Sequence, residues 1–327
     1  MRQAFLGAVG LVALSLSCSD DAATSPGAAG DGGAGSDATV GGDAAPSDGG
    51  TGVDGASPDA AGTVDSGAGD GGTDAAVDPC AHSIFCDDFD SYVAGKAPGG
   101  KWGKNESGGT IAVDTQHARS GKNAVKASAA AASGYRSVMI SLSDATILPV
   151  TGNHIFGRMM FYLDAAPTGT VHWTFLDGSG ATSKGYDAIY RYGGQIPLSD
   201  AGAFVGNQLM ANYDTPNSYQ NPPVGPSSDC WLHANTEVVP VGAWSCAEWE
   251  FDGPNNTMRF WLNDVAVPDL TMAGTGQGCV HQPASFTWLA PTFTRIDLGW
   301  ESYQADGARN LWIDDVAIGK EQRLRCP

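Results

Sequence analysis

Short segments with a two-residue hydrophobic period recur from Thr110 to Ile318, and Gly, Pro, Asn and Asp separate them. No long segment repeats every 3.6 residues. Alternation sends successive side chains to opposite faces, which suits a strand with one buried side and not a helix. The pattern predicts strands over 110–114, 123–128, 137–141, 154–163, 171–176, 186–192, 208–213, 246–251, 257–262, 295–300 and 311–318. Many short strands between turn signals predict an all-β chain folded as a jelly-roll β-sandwich. Leu262-Asn263-Asp264-Val265 reads as a tight hairpin turn, because Asn and Asp tolerate left-handed backbone. The Pro-, Asn- and Ser-rich stretch 216–228 reads as a long loop bordering a cleft.

The first part of the chain obeys other rules. Residues 1–18 combine Arg2, an apolar run from Ala4 to Leu16 and Cys18, the plan of an export signal. Ser15-Leu16-Ser17-Cys18 resembles a bacterial lipobox, which predicts lipidation of Cys18; cleavage near Ser17 without a lipid is the alternative. Residues 19–78 contain no aromatic residue, Leu or Ile, so they cannot bury enough surface to offset the entropy of folding. They are expected to form a disordered tether, kept extended by 12 Asp with no Lys or Arg. Residues 79–327 then form the folded domain. A lipid at one end and a domain at the other predict a cell-envelope protein at the outer membrane or cell surface, attached to the membrane through the anchor alone. Secretion is the alternative.

Removing the tether and Arg2 leaves a net charge of −8 for 79–327, a balance that argues against nucleic acid as a partner. The expected assembly is a monomer. Six cysteines remain after Cys18, at 80, 86, 230, 246, 279 and 326. An even number in an exported chain predicts three disulfides, and the absence of CxxC spacing makes zinc a poor alternative. The spacing alone leaves all fifteen pairings open.

Candidate chemistry concentrates between Val171 and Gln195, two strand-like runs joined by a Gly/Ser-rich turn. Alternation places His172, Thr174 and Leu176 on one face of the first run. On the second run it places Asp187, Ile189, Arg191 and Gln195 together, opposite Tyr186, Tyr190 and Tyr192. The hairpin thus offers a base, a cation and an amide to one surface. The bland alternatives are a structural histidine and an Arg191–Asp187 ion pair. A second group is divided between the ends of the domain: Cys86-Asp87-Asp88-Phe89-Asp90, the 117–123 turn and Trp312-Ile313-Asp314-Asp315. Terminal strands lying side by side would gather hard oxygen donors suited to Ca²⁺, or leave an ordinary acidic edge. Glu248, Glu250 and Asp252 alternate on a third stretch, where they are either a hydrolase's acids or a solvated outer face. Most of Trp173, Tyr186, Tyr190, Tyr192, Tyr213, Trp288 and Trp300 are expected in the core, while Tyr303 is a candidate sugar platform.

Cys86–Asp90, His117–Lys126, Phe156–Leu163, His172–Phe175, Arg191–Gln195, Trp244–Gly253, Gly299–Tyr303 and Trp312–Gly319 follow one order along the chain. In that order they resemble a jelly-roll family of secreted carbohydrate-active proteins. It groups a cellulose-induced fungal accessory protein with glucuronan lyases, inside the concanavalin A-like lectin/glucanase superfamily. The resemblance covers 84–327 and implies a polysaccharide partner. It implies a structural Ca²⁺ on Asp90, Ser120 and Asp314, with Asp315 beside them, and a Cys246–Cys326 disulfide. Proximity and elimination then suggest Cys80–Cys86 and Cys230–Cys279. For the lyase branch it implies catalysis by His172, Gln195 and Tyr303, with Arg191 beside them. One position departs from the pattern: Ile189 stands where the accessory protein has a second His.

These residue types suit β-elimination at a uronate. The proton at C5 is weakly acidic unless the neighbouring carboxylate is neutralised or hydrogen-bonded, a role for Gln195 and Arg191. His172 or Tyr303 would take that proton, and Tyr303 would supply one to the leaving oxygen. The leading expectation is therefore a polysaccharide lyase. A non-catalytic carbohydrate-binding module is the alternative, and a glycoside hydrolase using Glu248, Glu250 or Asp252 is the third. The overall acidic charge sits awkwardly with a polyuronate substrate.

Overall fold

Strands dominate the computed structural model, which describes residues 78–216, 226, 228–283 and 285–327. The expected signal, Cys18 and nearly all of the tether lie outside the described residues, as do 217–225 and 227 of the expected cleft loop.

The strands run in the order β1 (Ser83–Asp87), β2 (Trp102–Ser107), β3 (Gly109–Asp114), β4 (Ala124–Ala129), β5 (Arg136–Leu142) and β6 (His154–Leu163). Then come β7 (Trp173–Ala181), β8 (Asp187–Asp200), β9 (Ala203–Asp214), β10 (Asp229–Val238), β11 (Trp244–Asp252) and β12 (Thr257–Leu262). The short β13 (Val265–Ala266), β14 (Met272–Ala273) and β15 (Gly278–Val280) precede β16 (Arg295–Ser302) and β17 (Arg309–Gly319). All eleven expected strands are present. Expectation missed β1, β2, β10 and the three short strands, whose polar or brief sequences carry little alternation. The hairpin turn after β12 forms on Asn263 and Asp264, with φ of 51° and 66°.

Two antiparallel sheets result. One has the order β13-β12-β11-β6-β17-β4-β3, with β1 on β17 and β14 on β12. The other runs β15-β10-β9-β8-β7-β16-β5-β2. A shared apolar core takes the inner-face residues of both, the usual economy of packed sheets. Trp173 stacks on Trp300 at 4.9 Å, and Phe251 stacks on Phe293 at 5.1 Å. Tyr186, Tyr190, Tyr192, Tyr213 and Trp288 join them in the core. Gly157 on β6 makes room for Trp249 on β11, since a Cβ there would stand 2.0 Å from the indole. Disulfides join Cys80 to Cys86, Cys230 to Cys279 and Cys246 to Cys326.

One alternation is broken. A register shift between Thr174 and Leu176 turns Leu176 into the core and away from His172. Asp177 then takes the place on the outer face that Leu176 was expected to hold.

Candidate functional site

The second sheet carries the site on the face away from the core. Direct cross-strand partners share a face, so its registers can be followed from strand to strand. One row runs Trp231–Asn212–Arg191–Asp177–Asp297–Ser141 across β10, β9, β8, β7, β16 and β5. The next row toward His172 runs His233–Met210–Gly193–Thr174–Glu301–Ser137.

His172 stands just before β7. Its N–H donates to Gln304 Oε1 at 2.7 Å, and its carbonyl accepts from the Tyr303 N–H at 3.1 Å, so the β7–β16 ladder holds it in place. The imidazole lies 4.9 Å from the Tyr303 ring, centroid to centroid. The residue is 8 % exposed, and its Nε2 has no partner among the described residues. Burial, helped by the charge of Arg191, lowers its pKa to about 4, so the ring is neutral at pH 7. His172 and Gln195 line one pocket of about 210 Å³ with Asn212, Asp229 and Trp231.

Tyr303 donates to Glu301 Oε1 at 2.5 Å, and Tyr135 donates to Glu301 Oε2 at 2.8 Å. Burial raises the Tyr303 pKa well above its ordinary value; Glu301 adds to the rise and Arg191 opposes it. Tyr303 therefore keeps its proton at neutral pH. The Arg191 guanidinium lies 5.6 Å from the Tyr303 ring centroid. It pairs with Asp214 at 2.7 Å and lies 3.7 Å from Glu301, while its Nε is buried without a partner among the described residues. So the ion pairs of Arg191 come from β9 and β16, strands that sequence inspection could not set beside it. A second pocket of about 290 Å³ opens next to it, lined by Tyr135, Asp177, Arg295, Asp297 and Glu301 among others. Burial and the neighbouring Asp297 push the Asp177 carboxyl well above the usual carboxylate range.

Expectation missed Glu301, Asp177, Asp214, Asp297 and the whole contribution of β10. The only sequence sign of β10 was the alternation of Asp229, Trp231 and His233 around Cys230.

The other two groups lie on the first sheet. Glu248 is fully buried and holds Arg323 at 2.5 and 2.6 Å. Glu250 holds His154 and Arg259, each at 2.7 Å, and Asp252 accepts from Asn255. The face expected to be solvated is instead buried at its acids, with Glu248 and Glu250 in ion pairs under Arg323 and Arg259. These acids lie on the opposite sheet from the two pockets above, which removes the geometric premise of the hydrolase alternative.

The 119–123 turn joins the two ends of the domain. Asp90 Oδ1 accepts from the N–H groups of Lys122 and Asn123 at 2.7 and 3.0 Å. Asp314 Oδ2 accepts from those of Arg119 and Ser120 at 2.8 and 3.2 Å. Ser120 Oγ donates to Asp315 Oδ1 at 2.6 Å, whereas the buried Asp315 Oδ2 has no partner among the described residues. Oxygen-only donors and one unpaired buried carboxylate oxygen fit a hard cation in kind.

A family model described as "Polysacc_lyase-like: Cip1-like, core domain" matches residues 101–321. Among solved structures, the cellulose induced protein Cip1 is similar at 22 % identity, covering 74 % of this chain and 100 % of that one, with a TM-score of 0.48. The alginate lyase Aly36B is similar at 11 % identity, covering 62 % and 83 %, with a TM-score of 0.35. Domain 4 of AbnA, a GH43 extracellular arabinanase from Geobacillus stearothermophilus, is similar at 16 % identity, covering 66 % and 82 %, with a TM-score of 0.31. A search of the curated proteins found no match.

Proposed function

The chain belongs to the Cip1-like, polysaccharide lyase-like family, and from that premise we propose that its groove binds a polysaccharide and cleaves it at a uronate by β-elimination. The sandwich is read as a jelly roll of the concanavalin A-like kind. The observation that carries the proposal is a neutral His172, its Nε2 without a partner among the described residues, beside a Tyr303 that retains its proton.

Those two protonation states divide the work. His172 Nε2 takes the C5 proton as base. Gln195 and Arg191 hydrogen-bond the uronate carboxylate as negative charge develops there. The C4–O bond breaks, C4=C5 forms, and the Tyr303 hydroxyl turns from Glu301 to protonate the leaving oxygen. His172 then holds the proton that Tyr303 lacks, and the 4.9 Å between the rings gives it a short way back. Glu301 and Tyr135 position the Tyr303 hydroxyl. One feature favours a non-catalytic binding module as the second reading: Asp214 and Glu301 already neutralise Arg191.

A structural Ca²⁺ on Asp90, Ser120 and Asp314, with Asp315, is part of the proposal. When bound, it would offset buried carboxylate charge and tie the 119–123 turn to β17. We further propose that Cys18 carries a lipid, that residues 19–78 tether the 79–327 domain, and that the protein is a monomer held at the cell envelope.

The test is the ultraviolet absorbance of the unsaturated uronate formed when the protein is mixed with a panel of uronate polysaccharides. A rise in absorbance that His172→Ala and Tyr303→Phe both abolish is expected. Tight glycan binding without any rise establishes the binding module instead.

A further inference from the structure

The row of partners that contains Arg191 continues over two more strands into surroundings of a different chemistry. Asn212 is 1 % exposed, and its Nδ2 donates to Asp229 Oδ1 at 2.5 Å and to the Cys230 carbonyl at 2.7 Å. Both partners are acceptors, so the amide orientation is determined and Oδ1 must point the other way. That Oδ1 is buried without a partner among the described residues, and Asn212 lines the pocket that also holds His172 and Gln195. Trp231 lines the same pocket. Its indole lies across Gly278 of β15, where an added Cβ would come within 2.5 Å of the ring. Cys230 and Cys279 are cross-strand partners, so their disulfide staples together the two strands under the indole.

We propose that Trp231, Asn212 and Asp229 form a subsite for a neutral sugar ring next to the Arg191 subsite, so the preferred glycan is a heteropolysaccharide carrying uronate beside neutral residues. The inference rests on the groove reading above. Trp231 supplies a flat face for the apolar side of a pyranose. Asn212 Oδ1 and the Asp229 carboxylate are acceptors, so they call for a ligand that donates, as sugar hydroxyls do. A second uronate here would bring its carboxylate against Asp229, whose cross-strand partner is Asp214. Arg191 lies two strands from Trp231, roughly 10 Å at ordinary strand spacing. The glycan therefore crosses the strands, with the uronate over β8 and the neutral ring over β10.

The experiment measures binding of the full chain to three probes by titration calorimetry: a homopolymer of glucuronic acid, a xylan bearing glucuronic acid, and neutral xylohexaose. The acidic xylan is expected to bind about tenfold more tightly than the homopolymer, the worth of one stacked ring. Trp231→Ala should remove about that factor for the xylan and leave the homopolymer unchanged, with Trp231→Phe intermediate. Asp229→Asn should raise affinity for the homopolymer, a gain that misfolding cannot mimic. If the homopolymer binds as well as the xylan and no Trp231 or Asp229 variant alters the preference, the subsite is refuted while the groove reading stands. If none of the probes binds and no uronate polysaccharide is cleaved, both are refuted.

Discussion

His172 combines almost complete burial with a ring nitrogen that no protein group satisfies, and both properties can be tested through protons. Its pKa falls from 6.5 to about 4 on folding, so between those values the folded protein binds fewer protons than the unfolded chain. Stability is therefore intact above pH 6.5 and lost as pH falls toward 4, by about 3 kcal/mol at most from this residue. His172→Gln should flatten that part of the stability curve, measured by urea unfolding from pH 7 to 4; an unchanged slope would rule out a buried neutral imidazole. Tyr303→Phe keeps the ring against His172 and removes only the proton. It should lower kcat by roughly 10²–10⁴-fold with KM little changed. A large rise in KM at unchanged kcat would make Tyr303 a binding platform and not the acid. Residue types and alternation pointed to His172, Arg191 and Gln195, and the family resemblance added Tyr303. They could not point to Glu301, which matters only because it accepts from Tyr303 and Tyr135 at once.

At the scale of strands, the site depends on where alternation is interrupted. β8 carries Arg191 and Gln195 on either side of Gly193, which is forced by the approach of β7: a Cβ on Gly193 would stand 1.8 Å from the Trp173 carbonyl oxygen. Backbone cannot yield as a flexible side chain does, so Gly193→Ala should push β7 and β8 apart and part His172 from Gln195. A loss of about 3 kcal/mol of stability is expected, together with weakened glycan binding. Wild-type stability and affinity in that variant would show that the ladder absorbs the methyl group. Strand existence was legible from period-2 runs such as 154–163 and 257–262. The register shift that turns Leu176 into the core and Asp177 to the outer face was not, because it arises where β7 must match β8 on one edge and β16 on the other.

For the whole molecule, long-range closures join what the sequence separates. The Cys246–Cys326 disulfide spans 80 residues and fixes the C-terminal segment beside β11. Closing a loop of that length contributes about 4 kcal/mol by restricting the unfolded chain. Replacing both cysteines by serine should lower the denaturant midpoint accordingly, and an unchanged midpoint would mean the segment is held by Arg323 on Glu248 instead. Removing Ca²⁺ with a chelator should lower Tm, and added Ca²⁺ should restore it. Asp90→Asn should abolish that response, and a chelator-insensitive Tm would remove the ion from the proposal.

The sequence by itself determined the all-β class, most of the strands, the aromatic core and the residue types of the groove, because these follow from alternation and from what each side chain can do locally. Tertiary structure alone decided which charges meet. Glu248, Glu250 and Asp252 could be read as a catalytic row or a solvated face and are buried on the first sheet, the two glutamates in ion pairs, whereas Asp177, Asp214, Asp297 and Glu301 gather around the groove from three strands. The reason is physical: alternation depends on neighbours in the chain, but the field at a site depends on neighbours in space. Those are set by sheet order and register, which bring Asp214, Glu301 and Tyr303 around one guanidinium.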